Sequence, residues 1–336
     1  MASDKNSTHK NITPIVGSSS LIWAPPSNYP FLFSDSSQFH NHFSDLNLKI
    51  STDFITISIK IDCHEQLFEF LHYLGYQTIQ DGYDNGPTYR RRRFVKHVMY
   101  PQMSIGISYN RYSYMYNRPA MSLTLFRPTK TLIQCLEQFL IDLGITANVS
   151  KVELPLDFSC TYYEDLYEFL SKQQFLKNQR KSSFYIKSTF YSNDLRSSSR
   201  GTRLYVKQIG NDLFVRLELV LGRGPLRKHN VMWPPYDIDN IYIFKILSFV
   251  RFDTDYLYKI LRKYYDSVNA SDPVSDEIIS EVIDHLLSIP MLQAVDFLKH
   301  NNIPNYGRAL KTLDWFHDWM TAQMQGQSFL PVGEPL

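Results

Sequence analysis

Thr202–Leu221 reads TRLYVKQIGNDLFVRLELVL. Apolar and polar side chains alternate along Thr202–Gln208, which is the period of a strand with one buried face. Leu213–Leu221 repeats the pattern, and Gly210-Asn211-Asp212 between the two runs supplies turn chemistry. The stretch therefore predicts an antiparallel hairpin. Successive strand residues point to opposite faces, so Arg203, Tyr205 and Lys207 share one face, while Leu204 and Val206 share the other. On the return strand, Arg216 and Glu218 share a face.

Outward from the hairpin, Lys151–Phe158 reads as a strand, Asp165–Phe175 as a helix and Ser183–Phe190 as another strand. Further upstream, the run FITISIKI from Phe54 alternates strictly, and Glu65–Leu74 carries apolar residues at helical spacing before Gly75. A polar loop is expected at Gln80–Thr88, with strands around Met103–Tyr109 and Ala120–Phe126 and a helix over Lys130–Leu143. His40-Asn41-His42 reads as a solvated turn ahead of the first strand. Each half shows a β-α-β-β order. The expected fold is α+β, with two related β-α-β-β halves sharing a largely antiparallel sheet and a C-terminal helical layer. That layer would comprise Ile241–Val250, Asp255–Ser267, Ser275–Ser288, Leu292–Asn301 and Arg308–Met324. Within it, Asp314–Trp319 reads either as core packing or as a partner face. The expected division is 1–22 as a disordered tail, 23–150 as a DNA-binding half, 151–235 as the catalytic half, 236–325 as the helical region and 326–336 as a frayed tail.

Composition narrows the function classes. The net charge of the 336 residues is only +2, so any attraction for nucleic acid must come from local patches. The 23 Tyr and 22 Phe suit base stacking, or simply AT-rich coding. No window holds the roughly 18 apolar residues of a membrane span, and MASDKNSTHKNITP lacks a signal-peptide pattern. Cys63, Cys135 and Cys160 form neither a disulfide framework nor a zinc spacing. A cytosolic protein without a membrane partner is expected.

The chemistry lies in three strand motifs. Glu153 and Asp157 fall on one face of the strand that begins VELPLD at Val152. Two carboxylates there must be solvated, paired or bound to a cation. In RLYVK, the Tyr205 hydroxyl lies between Arg203 and Lys207, whose charges would favour the phenolate and hold a phosphate. In VRLEL, Arg216 and Glu218 lie across the hairpin from them. If these faces coincide, one area gathers Glu153, Asp157, Arg203, Tyr205, Lys207 and Glu218. Hard carboxylate oxygens suit Mg²⁺ or Mn²⁺, which would polarise a phosphate while the tyrosine attacks.

Ser188–Arg223, together with Val152–Asp157, resembles the replication initiation factor family of rolling-circle plasmid initiators and filamentous-phage replication proteins. The similarity lies in a Thr-x-Tyr strand at Phe190-Tyr191, a Ser-rich loop at Ser197–Gly201, the Arg203–Lys207 strand, the Arg216–Leu219 strand and the upstream acidic strand. It implies Tyr205 as nucleophile, Asp157 and Glu218 as metal ligands, and Glu153 in place of the usual first Asp. It also implies nicking and religation of origin DNA, a host helicase as partner, and a homodimer of single-tyrosine subunits.

Arg90-Arg91-Arg92-Arg93 is the sharpest charge run, and Arg111 lies among tyrosines just after it. Arg216, Arg227 and Lys228 add basic residues near the third motif. Hairpin or single-stranded DNA is the expected partner. A non-catalytic nucleic-acid-binding regulator is the alternative; it needs the basic patches but neither Tyr205 nor the carboxylates.

Overall fold

The structure, a computed structural model, describes residues 33, 35–61, 63–83, 90–110, 120–176, 184–186, 188–193, 199–209, 211–268 and 274–333. The expected N-terminal tail and Arg111 lie outside them. The first half comprises α1 (Ser36–His42), β1 (Asn47–Ile50), β2 (Phe54–Ile59), α2 (His64–Tyr73), β3 (Tyr76–Tyr83), β4 (Arg90–His97), β5 (Ser104–Asn110), β6 (Met121–Phe126) and α3 (Lys130–Asp142). The second half follows with β7 (Ala147–Ser159), α4 (Tyr163–Gln173), β8 (Gln174–Leu176), β9 (Phe184–Ile186), β10 (Thr189–Ser192), β11 (Arg200–Ile209), β12 (Asp212–Gly222) and α5 (Arg223–Lys228). The chain continues through β13 (Leu247–Phe252), α6 (Thr254–Val268), α7 (Asp276–Ser288), α8 (Met291–His300), β14 (Leu310–Thr312) and α9 (Asp314–Met324).

The fold is α+β. One sheet runs β3-β4-β5-β6-β2-β7-β12-β11-β10-β9, with β1 also on β7, and its pairings are antiparallel. The two halves meet at β2 and β7, and each lays down its later strands outward from that seam in the same order. Alternation decides what each face does. Ile55, Ile57 and Ile59 of β2 and Val152, Leu154, Leu156 and Phe158 of β7 are fully buried in one core with residues of α2, α3, α4 and α9. Each such side chain contributes about 1.5–3 kcal/mol relative to exposure. Thr129 caps α3 by accepting from the Leu132 N–H, and Gly75 and Gly144 take positive φ just past α2 and α3.

Several elements differ from expectation. Tyr76–Tyr83 and Arg90–His97 are paired strands, so residues 80–83, expected to open a polar loop, and the basic run belong to the sheet, while residues 84–88 of the expected loop lie outside the described residues. Among the described residues of these strands, Tyr76, Val95 and His97 are the buried ones, so the open side is free to be polar. Ile241–Val250 is not a helix: a 3-10 turn at Ile243–Lys245 leads into β13, whose backbone pairs with β8 and β14 in a second small sheet. Ser183–Phe190 divides into β9 and β10. His40-Asn41-His42 ends α1, which Asp35 caps and which buries Phe39. His42 Nε2 meets Asp165 at 2.7 Å, joining α1 to α4. The helical region is only partly separate. Residues of α6, α7 and α8 build a second core with Val250 and Phe252, whereas α9 returns Phe316 and Met320 to the main one. Asp314–Trp319 therefore packs: Trp315, Phe316 and Trp319 lie against Phe39. Residues 326–333 form a strap rather than a frayed end, and residues 334–336 lie outside the described residues. Phe329 and Leu330 are buried, Thr52 donates to the Phe329 carbonyl, and the Lys130 N–H donates to that of Pro331.

Candidate functional site

The face of the main sheet opposite the helices carries the charged motifs. Antiparallel register places Tyr205 beside Arg216 and Arg216 beside Asp157, in one row across β11, β12 and β7. The next row holds Arg203, Glu218 and Pro155. The three motifs thus do bring their polar faces together, because strand period and register agree.

The partners are specific. Tyr205 Oη donates to Glu218 Oε1 at 2.5 Å. Arg216 donates from Nε and Nη2 to the two oxygens of Asp157, both at 2.5 Å, and from Nη1 to Asp53 Oδ2 at 2.6 Å. Arg203 Nε lies 2.6 Å from Glu218 Oε2, and its Nη2 contacts Glu153 Oε1. These last contacts are ion pairs without hydrogen-bond geometry, so Glu153 Oε1, Glu218 Oε2 and Arg203 Nε are buried without a hydrogen bond. Side-chain exposure is 5% for Arg216, 3% for Glu218 and 6% for Glu153, so the charges sit where Coulomb attraction is strong and desolvation is costly.

These surroundings reverse one expectation. Burial, then the hydrogen bond to Glu218 and its charge, push the Tyr205 pKa up, outweighing the opposing effect of Arg216. The phenol is therefore held protonated with an acceptor in place, instead of being ionised by neighbouring cations. Burial also raises Glu218, against the pull of Tyr205 and Arg203. Lys207, lowered by burial and then by Arg216, feels Asp53 and Asp157 in the opposite sense.

The expected metal ligands divide. Both oxygens of Asp157 accept from Arg216, so Asp157 anchors an arginine. Glu153 and Glu218 instead turn oxygens that lack hydrogen bonds toward the shared Arg203. Among the described residues, no three His, Cys, Asp or Glu side chains group around a metal position. Glu153 and Glu218 are the two carboxylates that could hold Mg²⁺ with a substrate phosphate and water, but Arg203 lies on both of them, so an ion there would have to displace its guanidinium.

The expected DNA contacts also divide. Arg216 is buried in its ion pairs and is not a surface contact. Arg91 and Arg93 both bind Asp81, and the Arg93 guanidinium lies 4.0 Å from the Phe68 ring centroid of α2. Strand alternation sends Arg92 to the other, open face, where it is exposed. The Arg90 backbone belongs to β4; its side chain lies outside the described residues. Arg227 and Lys228 are exposed in the last turn of α5.

Asp53 and Lys151 escaped sequence reading. Asp53 precedes β2 in the loop from β1, and its only local signal is a carboxylate just ahead of the alternating run. Lys151 Nζ lies 5.0 Å from the Phe54 ring centroid, and its pKa is lowered by burial and then by Arg203. No helix among the described residues is long and apolar enough to cross a membrane. Neither a family model nor a curated protein matches the chain.

Proposed function

We propose that this protein is a DNA strand transferase that nicks and rejoins a polynucleotide through Tyr205, the reaction that starts rolling-circle replication. The observation that carries the reading is the short hydrogen bond from the Tyr205 hydroxyl to Glu218, with Arg203 on the far side of the same carboxylate. A hydroxyl, a carboxylate able to accept its proton and the cations Arg203 and Lys207 on the same strand face support the reading. In the proposed step, Tyr205 Oη forms a bond to phosphorus and gives its proton to Glu218. The bond from phosphorus to the 3′ oxygen breaks, and the Lys207 ammonium, acidified by burial, supplies the proton of the 3′ hydroxyl. The DNA 5′ end remains as a phosphotyrosine, and religation reverses the transfers. A divalent cation, Mg²⁺ or Mn²⁺, at Glu153 and Glu218 would add positive charge at the phosphate. The family resemblance, with origin DNA, a helicase and a second subunit as partners, belongs to this proposal.

The second reading is a non-catalytic nucleic-acid-binding regulator. The pairing of Asp157 with Arg216, and of Glu153 and Glu218 with Arg203, favours it, because these charges are already compensated within the protein. Incubation with Mn²⁺ and labelled supercoiled or single-stranded origin DNA, beside a Tyr205→Phe variant, separates the two. A protein–DNA adduct on a denaturing gel, lost in the variant, is the expected result. No adduct on cognate DNA, with salt-sensitive binding retained, would establish the regulator.

A further inference from the structure

The first half has the same positions as the charged cluster, with the charges gone. His64, the start of α2, follows Phe54 by ten residues, and Tyr163, the start of α4, follows Glu153 by ten. With Phe54 set on Glu153, cross-strand register aligns the rest. Ser58, Ser122 and Ser108 form one row across β2, β6 and β5, as Asp157, Arg216 and Tyr205 do across β7, β12 and β11. Thr124 and Gly106 stand where Glu218 and Arg203 stand in the other half. The smaller side chains leave a cavity of about 430 Å³, bounded by Gln80, Arg92, Phe94 and Phe126. Ser108, which lines it, has an Oγ buried without a hydrogen-bond partner.

A half-exposed aromatic row leads from this cavity toward the charged cluster. The Phe94 and Phe126 ring centroids are 5.8 Å apart, and those of Phe126 and Phe54 are 6.1 Å apart. Lys151 lies above Phe54 and next to Arg203. Among the described residues, the open-face positions of β2, β4, β5 and β6 carry no carboxylate, whereas Arg92 and Lys96 are there.

We propose that this vacated half-site binds the single-stranded polynucleotide beside the cleaved phosphate. One base enters the cavity against Phe94 and Phe126, and the backbone passes Phe54 and Lys151 toward Tyr205. This rests on the strand-transfer reading for the direction of the path, although the binding itself does not require it. Exposed ring faces stack on bases of any sequence, and cations between them hold phosphates. The small hydroxyls and Gln80 offer donors and acceptors to a base edge. Base faces are available only when the strand is unpaired. The negative charge of a phosphate at Lys151 also offsets the desolvation and like-charge repulsion that weigh on its ammonium.

The test uses the full chain with a fluorescent single-stranded oligonucleotide pool and its duplex, titrated at several salt concentrations. Single strands are expected to bind more tightly. Phe94→Leu and Phe126→Leu keep apolar bulk but remove the stacking face, and each is expected to weaken binding about tenfold with an unchanged salt slope. Lys151→Ala is expected to weaken binding and reduce the slope by about one. Melting temperatures check folding, and ultraviolet cross-linking to halogenated bases is expected to mark peptides containing Phe94 or Phe126. Wild-type affinity in both Leu variants, with cross-links elsewhere, overturns the proposal. So does a change in sedimentation without a change in binding, which would make the face a contact between two copies of this chain. An adduct at Tyr205 combined with unaffected Leu variants sinks only the path. No adduct, combined with lost binding in those variants, sinks only the transferase reading.

Discussion

The Tyr205 hydroxyl and the Glu218 carboxylate share a hydrogen bond of 2.5 Å across the β11–β12 pair, and both groups have raised pKa values. A protonated Glu218 cannot take the tyrosine proton. Adduct formation is therefore expected to accelerate as pH rises through the elevated Glu218 pKa. Glu218→Gln should remove that limb and slow the reaction about a hundredfold or more; single-turnover adduct kinetics across pH measure both. The same shift has a sign for stability. The contribution of Glu218 is present below the ordinary carboxylate value and lost as pH rises through its higher folded-state value. Urea unfolding across that window should show the loss in the wild type and not in Glu218→Gln.

Arg216 is the only guanidinium placed on both Asp157 and Asp53 among the described residues. Replacing it leaves the largely buried Asp157 charge uncompensated. Arg216→Met is expected to destabilise the fold by about 3–5 kcal/mol in urea unfolding. Adding Asp157→Leu should recover much of that. If the double variant is as unstable as the single one, the pair is not the source of the loss.

Arg203 occupies the place between Glu153 and Glu218 that a divalent cation would take. Arg203→Met should strengthen Mn²⁺ binding, and Glu153→Gln should weaken it. Water-proton relaxation of free and bound Mn²⁺ reads this without any turnover. Unchanged affinity in both variants would remove the ion from this position.

Phe329 is 2% exposed near the C-terminal end of the described chain. Phe329→Ala is expected to cost about 3–5 kcal/mol, as for a large side chain removed from a core. A cost within error would mean that the strap contributes no packing.

Legibility followed the range of the interactions. The hairpin of β11 and β12, the strand β2 and the helices α2, α3, α4, α6, α7 and α8 were readable because alternation and helical spacing are local. β3 and β4 were not. At that edge of the sheet Arg91, Arg92 and Arg93 pass through a strand whose few core positions look weak in sequence. β13 was mistaken for a helix because a short apolar run carries no period of its own, and its pairing to Leu176 and Thr312 comes from distant segments. Of the charged cluster, the three strand motifs were legible, whereas Asp53, Lys151 and the pairing of each charge were not.

The sequence by itself determined which side chains share a face. Backbone geometry puts Arg203, Tyr205 and Lys207 on one side of a strand wherever that strand lies. Only the tertiary structure decided what each of them meets. Arg216 takes Asp53 from 163 residues away, Glu153 rather than Asp157 faces Arg203, and Tyr205 is held protonated instead of ionised. Register between distant strands sets distance, and burial sets the cost of charge; both arise when the two halves close into one sheet.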